Sequence, residues 1–128
     1  MLLCQPPEDR FRELVSKYGL AWERQDVLAL CSIFTEDAIY QERAFERPLK
    51  GLVEIRRYWE RKVAKEQSNI RFRILSLYGG IGTGVAEWEA EFDDIAQNVR
   101  KKIREVAILE LSGEKIRGMR EYWSSKRL

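Results

Sequence analysis

The hydrophobic period of this chain changes once, near Ser68, and that change restricts the folds open to it. Before Ser68 the period is helical. Phe11, Leu14, Val15, Tyr18, Ala21 and Trp22 fall on one face of a helix, whose first turn carries Glu8 and Asp9 after the stop at Pro6-Pro7. Asp26 is placed to cap a short second helix carrying Val27, Leu30, Cys31 and Phe34. Ala38 to Glu42 reads as a short strand, and Arg43 to Lys50 as a loop holding Pro48. Gly51 opens a third helix with Leu52, Ile55, Tyr58, Trp59, Lys62 and Val63 on one face. After Ser68 side chains alternate, as on a strand. Ile70, Phe72 and Ile74 face one way, Arg71 and Arg73 the other. From Val85 to Phe92, Ala86, Trp88, Ala90 and Phe92 oppose Glu87, Glu89 and Glu91. Arg100 to Leu111 and Lys115 to Trp123 are two further strands. The turns fall at Gly79 to Gly84, Asp93 to Asn98 and Ser112-Gly113-Glu114. Helices first and then an antiparallel run of strands is an α+β layout.

The 128 residues suit one domain, 1–128. Basic and acidic residues nearly balance, 23 against 21, which argues against a nucleic-acid partner. No apolar run reaches the roughly 20 residues of a membrane span. The opening Met1-Leu2-Leu3-Cys4 is too short for a signal peptide, so the expected location is cytoplasmic, with Cys4 and Cys31 as reduced thiols. The chain has no histidine. That removes the commonest general base and metal ligand, and excludes Ser-His and Cys-His nucleophile pairs. Acid–base chemistry here falls to Glu, Asp, Tyr, Lys or Arg.

Several clusters have plain structural readings. Gly79 to Gly84 precedes a strand, whereas a phosphate loop must open a helix, so it is a hairpin turn. Glu87, Glu89 and Glu91 share a strand face beside Arg71 and Arg73, which predicts cross-strand ion pairs and no metal site. Arg56, Arg57, Arg61, Lys62 and Lys65 alternate with acids on a solvated helix face. Cys31, on an apolar helix face, is expected to be a buried, inert thiol. Trp88 is expected to be buried, and Leu75, Leu77, Ile108 and Met119 to reach the uncovered side of the sheet.

Three segments carry a resemblance: Phe34-Thr35-Glu36-Asp37-Ala38-Ile39-Tyr40, then Gly51 leading into Ile55-Arg56-Arg57-Tyr58-Trp59, then Lys115-Ile116-Arg117-Gly118-Met119-Arg120-Glu121-Tyr122-Trp123. Read in order they resemble the nuclear transport factor 2-like superfamily, in its SnoaL-like and ketosteroid-isomerase-like branches, from about Phe11 to Trp123. The resemblance implies a cone-like α+β fold, three N-terminal helices packed on a curved, mainly antiparallel sheet enclosing one pocket. It places the isomerase's general base on Glu42 and its oxyanion-stabilising tyrosine on Tyr18. The second oxyanion donor falls on Val106, next to Glu105. Trp22, Tyr40, Trp59, Trp88, Phe92, Arg120 and Tyr122 are expected to line the pocket. The limonene-epoxide-hydrolase branch needs an Asp-Arg-Asp set, and the aspartates here sit only at helix starts and turns, so glutamates would have to substitute. The expected ligand is an apolar or carbonyl-containing small molecule, handled without a cofactor. Two functions stay open: an isomerase, cyclase or dehydratase working by carboxylate proton transfer, or a non-catalytic ligand-binding or dimeric interaction module. Relatives of this fold pair through the sheet, which implies a homodimer.

Overall fold

The structure, a computed structural model, describes residues 7–128; Cys4 and the expected stop at Pro6 lie outside the described residues. Helix α1 spans Pro7–Arg24 and buries the face read from the sequence, with Phe11, Val15, Tyr18 and Trp22 each at most 5% exposed. Helix α2, Val27–Ser32, is capped by Asp26, whose carboxylate accepts from the Ala29 amide at 3.0 Å. Strand β1 runs Phe34–Gln41, longer than expected at its start. Phe34 already pairs with Ile116, and Glu42 lies just past the strand's end. After the short β2, Leu49–Lys50, Gly51 opens α3, Gly51–Glu66, with a φ of +83° that only glycine adopts easily. Ile55, Trp59 and Val63 are the buried stripe of α3.

Four long strands follow: β3 Gln67–Ile81, β4 Thr83–Asp94, β5 Val99–Ser112 and β6 Lys115–Arg127. They form a six-stranded sheet in the order β2-β1-β6-β5-β4-β3. All neighbours are antiparallel except β1 and β6, which run parallel. The three helices pack on one face of this curved, open sheet, which is the cone-like arrangement that the resemblance implied. The Gly79–Gly84 segment is a hairpin, as expected, but both strands continue into it and leave only Gly82 between them.

Two irregularities in register decide which side chains face inward. Ile74 pairs with Trp88 and Ser76 with Glu87, so Leu75 is an extra residue and Leu77 is turned to the core. Glu110 pairs with Gly118 and Leu111 with Ile116, so Arg117 is extra and the inward set of β6 becomes Ile116, Met119, Glu121 and Trp123. Met119 is 1% exposed, which corrects the expectation that it and Leu77 face outward. α1 also sits close to β3. A β-carbon on Gly19 would lie 2.1 Å from the Phe72 ring, so glycine is required for that approach.

The other face of the sheet is charged where the alternation put its glutamates. Glu89 is held by Arg73 (2.9 Å), Arg104 and Lys102 (3.6 Å), and Glu91 by Arg100 and Lys102. These cations hold the Glu89 carboxyl down at about 2. Cys31 is a free, half-buried thiol whose pKa is raised by desolvation.

Candidate functional site

Between α1, α3 and the inner face of the sheet lies a cavity of ≈ 140 Å³. Tyr18 and Trp22 from α1, Tyr40 from β1, Trp59 from α3 and Phe92 from β4 stand on its wall. Their rings pack edge to face, Tyr18 against Trp59 at 5.7 Å and Trp22 against Trp59 at 6.4 Å between centroids. Trp88 is fully buried one layer behind, 5.1 Å from the Tyr18 ring and 5.4 Å from that of Phe72; it does not line the cavity.

Two glutamates form the floor. Glu105 of β5 and Glu121 of β6 occupy inward positions among apolar neighbours, and each is 4% exposed. Their register explains why they meet. Glu105 pairs with Trp123 and Glu121 with Ala107, so the carboxyls are diagonal neighbours on one face. The Tyr18 hydroxyl donates to Glu121 Oε1 at 3.1 Å, and the Tyr40 hydroxyl donates to the same oxygen. The two hydroxyls are 3.4 Å apart. Neither glutamate has an ion-pair partner among the described residues. Among the described residues, Glu105 Oε2 and the indole N–H of Trp88, from the residue directly opposite on β4, make no hydrogen bond of ordinary geometry, although the indole lies near enough to oppose the rise of the Glu105 carboxyl.

Burial dominates the titration of this group. Desolvation, then the neighbouring Glu121 charge, raises the Glu105 carboxyl well above its usual range. Desolvation also raises Glu121, to about 7, against the opposing hydrogen bonds from Tyr40, Glu105 and Tyr18. The two carboxyls titrate together, so a proton held there belongs to the pair. Tyr18 and Tyr40 are raised well above the normal phenol range, again chiefly by burial, so both remain neutral donors.

Glu42 sits at the mouth. Its side chain is about one-fifth exposed and accepts from Arg43 Nε at 3.2 Å, while its backbone carbonyl accepts from the Trp123 indole at 3.0 Å. Arg43 in turn lies 5.2 Å over the Trp123 ring. Tyr58 joins Glu42 at the mouth, its phenol raised by burial and by the Glu42 charge. Two further ion pairs, Lys62 with Glu66 and Lys101 with Asp94, complete the rim.

Two sequence-derived positions need correction. Arg120 and Tyr122 lie on the opposite face of the sheet, Arg120 against Glu110 at 3.5 Å and Tyr122 48% exposed. The extra residue at Arg117 turns them outward, whereas counting by twos from Ile116 turns them in. Val106 is likewise outward and 39% exposed, and Glu105 is the inward residue. Glu121 was missed altogether. Its signal was a lone carboxylate in the phase of Met119 and Trp123, hidden by that irregularity. Among the described residues no group of three or more ligating side chains is spaced to hold a metal ion.

With this geometry in view, comparisons with known proteins place the chain. The sequence profile of the SnoaL-like domain matches residues 15–119. The chain belongs to the SnoaL-like family. It shares the fold of the nuclear transport factor 2-like superfamily with several solved structures. A ketosteroid-isomerase-like protein from Catenulispora acidiphila, solved in complex with trimethylamine, superposes with a TM-score of 0.77 at 21% identity, covering 88% of this chain and 85% of that one. SalBIII, an epoxide hydrolase/cyclase-like enzyme of pyran ring formation in salinomycin, gives 0.81 at 23% identity, covering 94% and 98%. An LEH-like epoxide hydrolase from M. tuberculosis gives 0.77 at 13% identity, covering 93% and 86%. At these identities the likeness establishes the fold. A search of curated proteins found no match.

Proposed function

We propose that this SnoaL-like protein binds a small molecule in the Glu105–Glu121 cavity and moves protons on it without a cofactor. One observation carries the reading: two fully desolvated carboxyls face each other with no cation to neutralise them. Such a pair costs stability in a protein that does not use it. Glu121, ionised over part of the neutral range, is the base. Glu105, which keeps its proton longer, is the acid. Tyr18 and Tyr40 are positioning residues that hold the Glu121 carboxylate in one orientation. This moves the base from Glu42, whose carboxylate is engaged by Arg43 at the rim. Acid and base side by side suit isomerisation, ring closure or epoxide opening, where one oxygen is protonated as another group loses a proton. Glutamates here occupy the part that aspartates would play in an epoxide-opening site, without an arginine between them. We also propose a cytoplasmic homodimer, for which the uncovered outer face of the sheet is the supporting feature.

The small cavity favours a second reading. At ≈ 140 Å³ it is below the roughly 300–1,000 Å³ of typical ligand sites, which suits a binding module for a small ligand. Two reactions with compounds of matching size separate the readings: exchange of the α-hydrogens of cyclopentanone in D2O, and hydration of cyclopentene oxide. The catalytic reading expects one of these to be accelerated, and Glu121→Gln to lower the rate by about 100- to 10,000-fold. If neither is faster than in buffer, or the variant matches the parent, the catalytic reading falls and the binding module stands.

A further inference from the structure

Charge, hydrogen bonding and size in this cavity together describe its ligand more narrowly than acid–base chemistry does. Five carboxylates and three cationic side chains line it. Each cation is already engaged at the rim: Arg43 with Glu42 at 3.2 Å, Lys62 with Glu66 at 3.9 Å and Lys101 with Asp94 at 2.9 Å. The surplus is the pair at the floor, Glu105 and Glu121. The tyrosine protons that could serve an incoming anion are spent on Glu121 Oε1. Glu105 Oε2, on a side chain more than nine-tenths buried, makes no close hydrogen bond among the described residues but is sealed at the floor beside the Trp88 indole, so what the floor offers a ligand is the acidity of the pair. Trp59 Nε1 is a buried donor on the wall without a partner among the described residues, and a neutral N–H does not offset two carboxyls. Above the floor stand the rings of Tyr18, Trp22, Tyr40 and Trp59, and aromatic rings in a desolvated site favour cations.

We propose that the cavity selects a small organic cation, a primary or secondary ammonium compound, held against the Glu105–Glu121 floor. The inference rests on the reading that the ligand occupies this cavity. Both glutamates are buried without an ion-pair partner among the described residues, so an ammonium group meets an unopposed acidic floor. The volume of ≈ 140 Å³ is close to that of the engineered cavity of about 150 Å³ that takes benzene, so a five- or six-membered ring fits.

The test compares three molecules of one shape and different charge by titration calorimetry at neutral pH: cyclopentylammonium, cyclopentanol and cyclopentanecarboxylate. The ammonium is expected to bind at least about tenfold more tightly than the alcohol, with the carboxylate weakest. The double variant Glu105→Gln with Glu121→Gln, which removes both acids of the floor and has its fold checked by circular dichroism, is expected to close the gap between ammonium and alcohol by a similar factor. If that variant does not fold, the ranking on the unaltered protein decides alone. An alcohol that binds as tightly as the ammonium, or a gap unchanged in the double variant, overturns the proposal. Alcohol binding without charge preference would sink the cation while leaving the cavity as the ligand site. If none of the three binds, the cavity reading falls with it.

Discussion

Glu121 shows at the scale of one residue how a stability cost and a chemical capacity come from the same burial. In water its carboxyl would titrate near 4.5, and in the protein it is pushed up to about 7. A raised carboxyl binds its proton more tightly in the folded state. Its contribution to stability is therefore complete below about 4.5 and is lost as pH rises through about 7. The loss is on the order of 3 kcal/mol, and Glu105 shifts in the same direction. Glu89 works the other way. Held at about 2 by Arg104 and Arg73, it supports the fold above the usual carboxylate range and stops doing so as pH falls through about 2. Chemical denaturation across pH 5 to 8 should therefore show stability falling towards pH 8, and Glu121→Gln should flatten that slope. A parent protein equally stable at both ends would remove the desolvated pair from the account. Little of this was legible residue by residue. Tyr18 came with the resemblance, and Tyr40 with the set of aromatics spread over the elements around a pocket. The acids they hold are ordinary glutamates in sequence, and only their inward phase marks them.

At the scale of the element, the alternation of β4 was readable because its two faces differ so sharply. Glu87, Glu89 and Glu91 went to one side and Ala86, Trp88, Ala90 and Phe92 to the other. β5 and β6 were not, because Val106, Ile108 and Tyr122 put apolar side chains on the outer face as well. One extra residue, Arg117, then inverts the count. The contact of α1 with β3 is another feature set by geometry. Replacing Gly19 by alanine would gain about 1 kcal/mol of helix propensity. Against that, the new methyl meets the Phe72 ring at 2.1 Å, and overpacking typically costs about 1–3 kcal/mol. Gly19→Ala is expected to lower the denaturation midpoint, and Phe72→Leu in the same chain to recover part of the loss. A midpoint that rises in Gly19→Ala would show that the ring moves aside at no cost. Trp88→Ala should cost more, about 3–5 kcal/mol, because it empties a fully buried site behind Tyr18. Urea denaturation measures both.

At the scale of the whole molecule, the order of helices and strands gave the α+β class. The parallel pairing of β1 with β6, residues apart by most of the chain, has no local signal and appears only in the structure. That pairing curves the sheet and leaves its outer face uncovered, since all three helices pack inside. On that face Val106 lies directly across from Tyr122, with Ile39 on β1 beyond, and these are 39%, 48% and 48% exposed. Both charge signs flank them: Glu110 with Arg120 at 3.5 Å, and Arg104 on Glu89. A surface with an apolar centre and mixed charges is complementary to itself about a twofold axis. The occupant expected on it is a second copy of this chain. The acid–base cavity opens on the helical side, so pairing would leave its mouth free. Sedimentation should give twice the mass of one chain at micromolar concentrations. Val106→Glu with Tyr122→Glu should shift it to the mass of one chain, since like charges meet across the axis, while leaving the Glu105–Glu121 cavity intact. A single-chain mass for the unaltered protein at every concentration tested would show that this face is simply solvated.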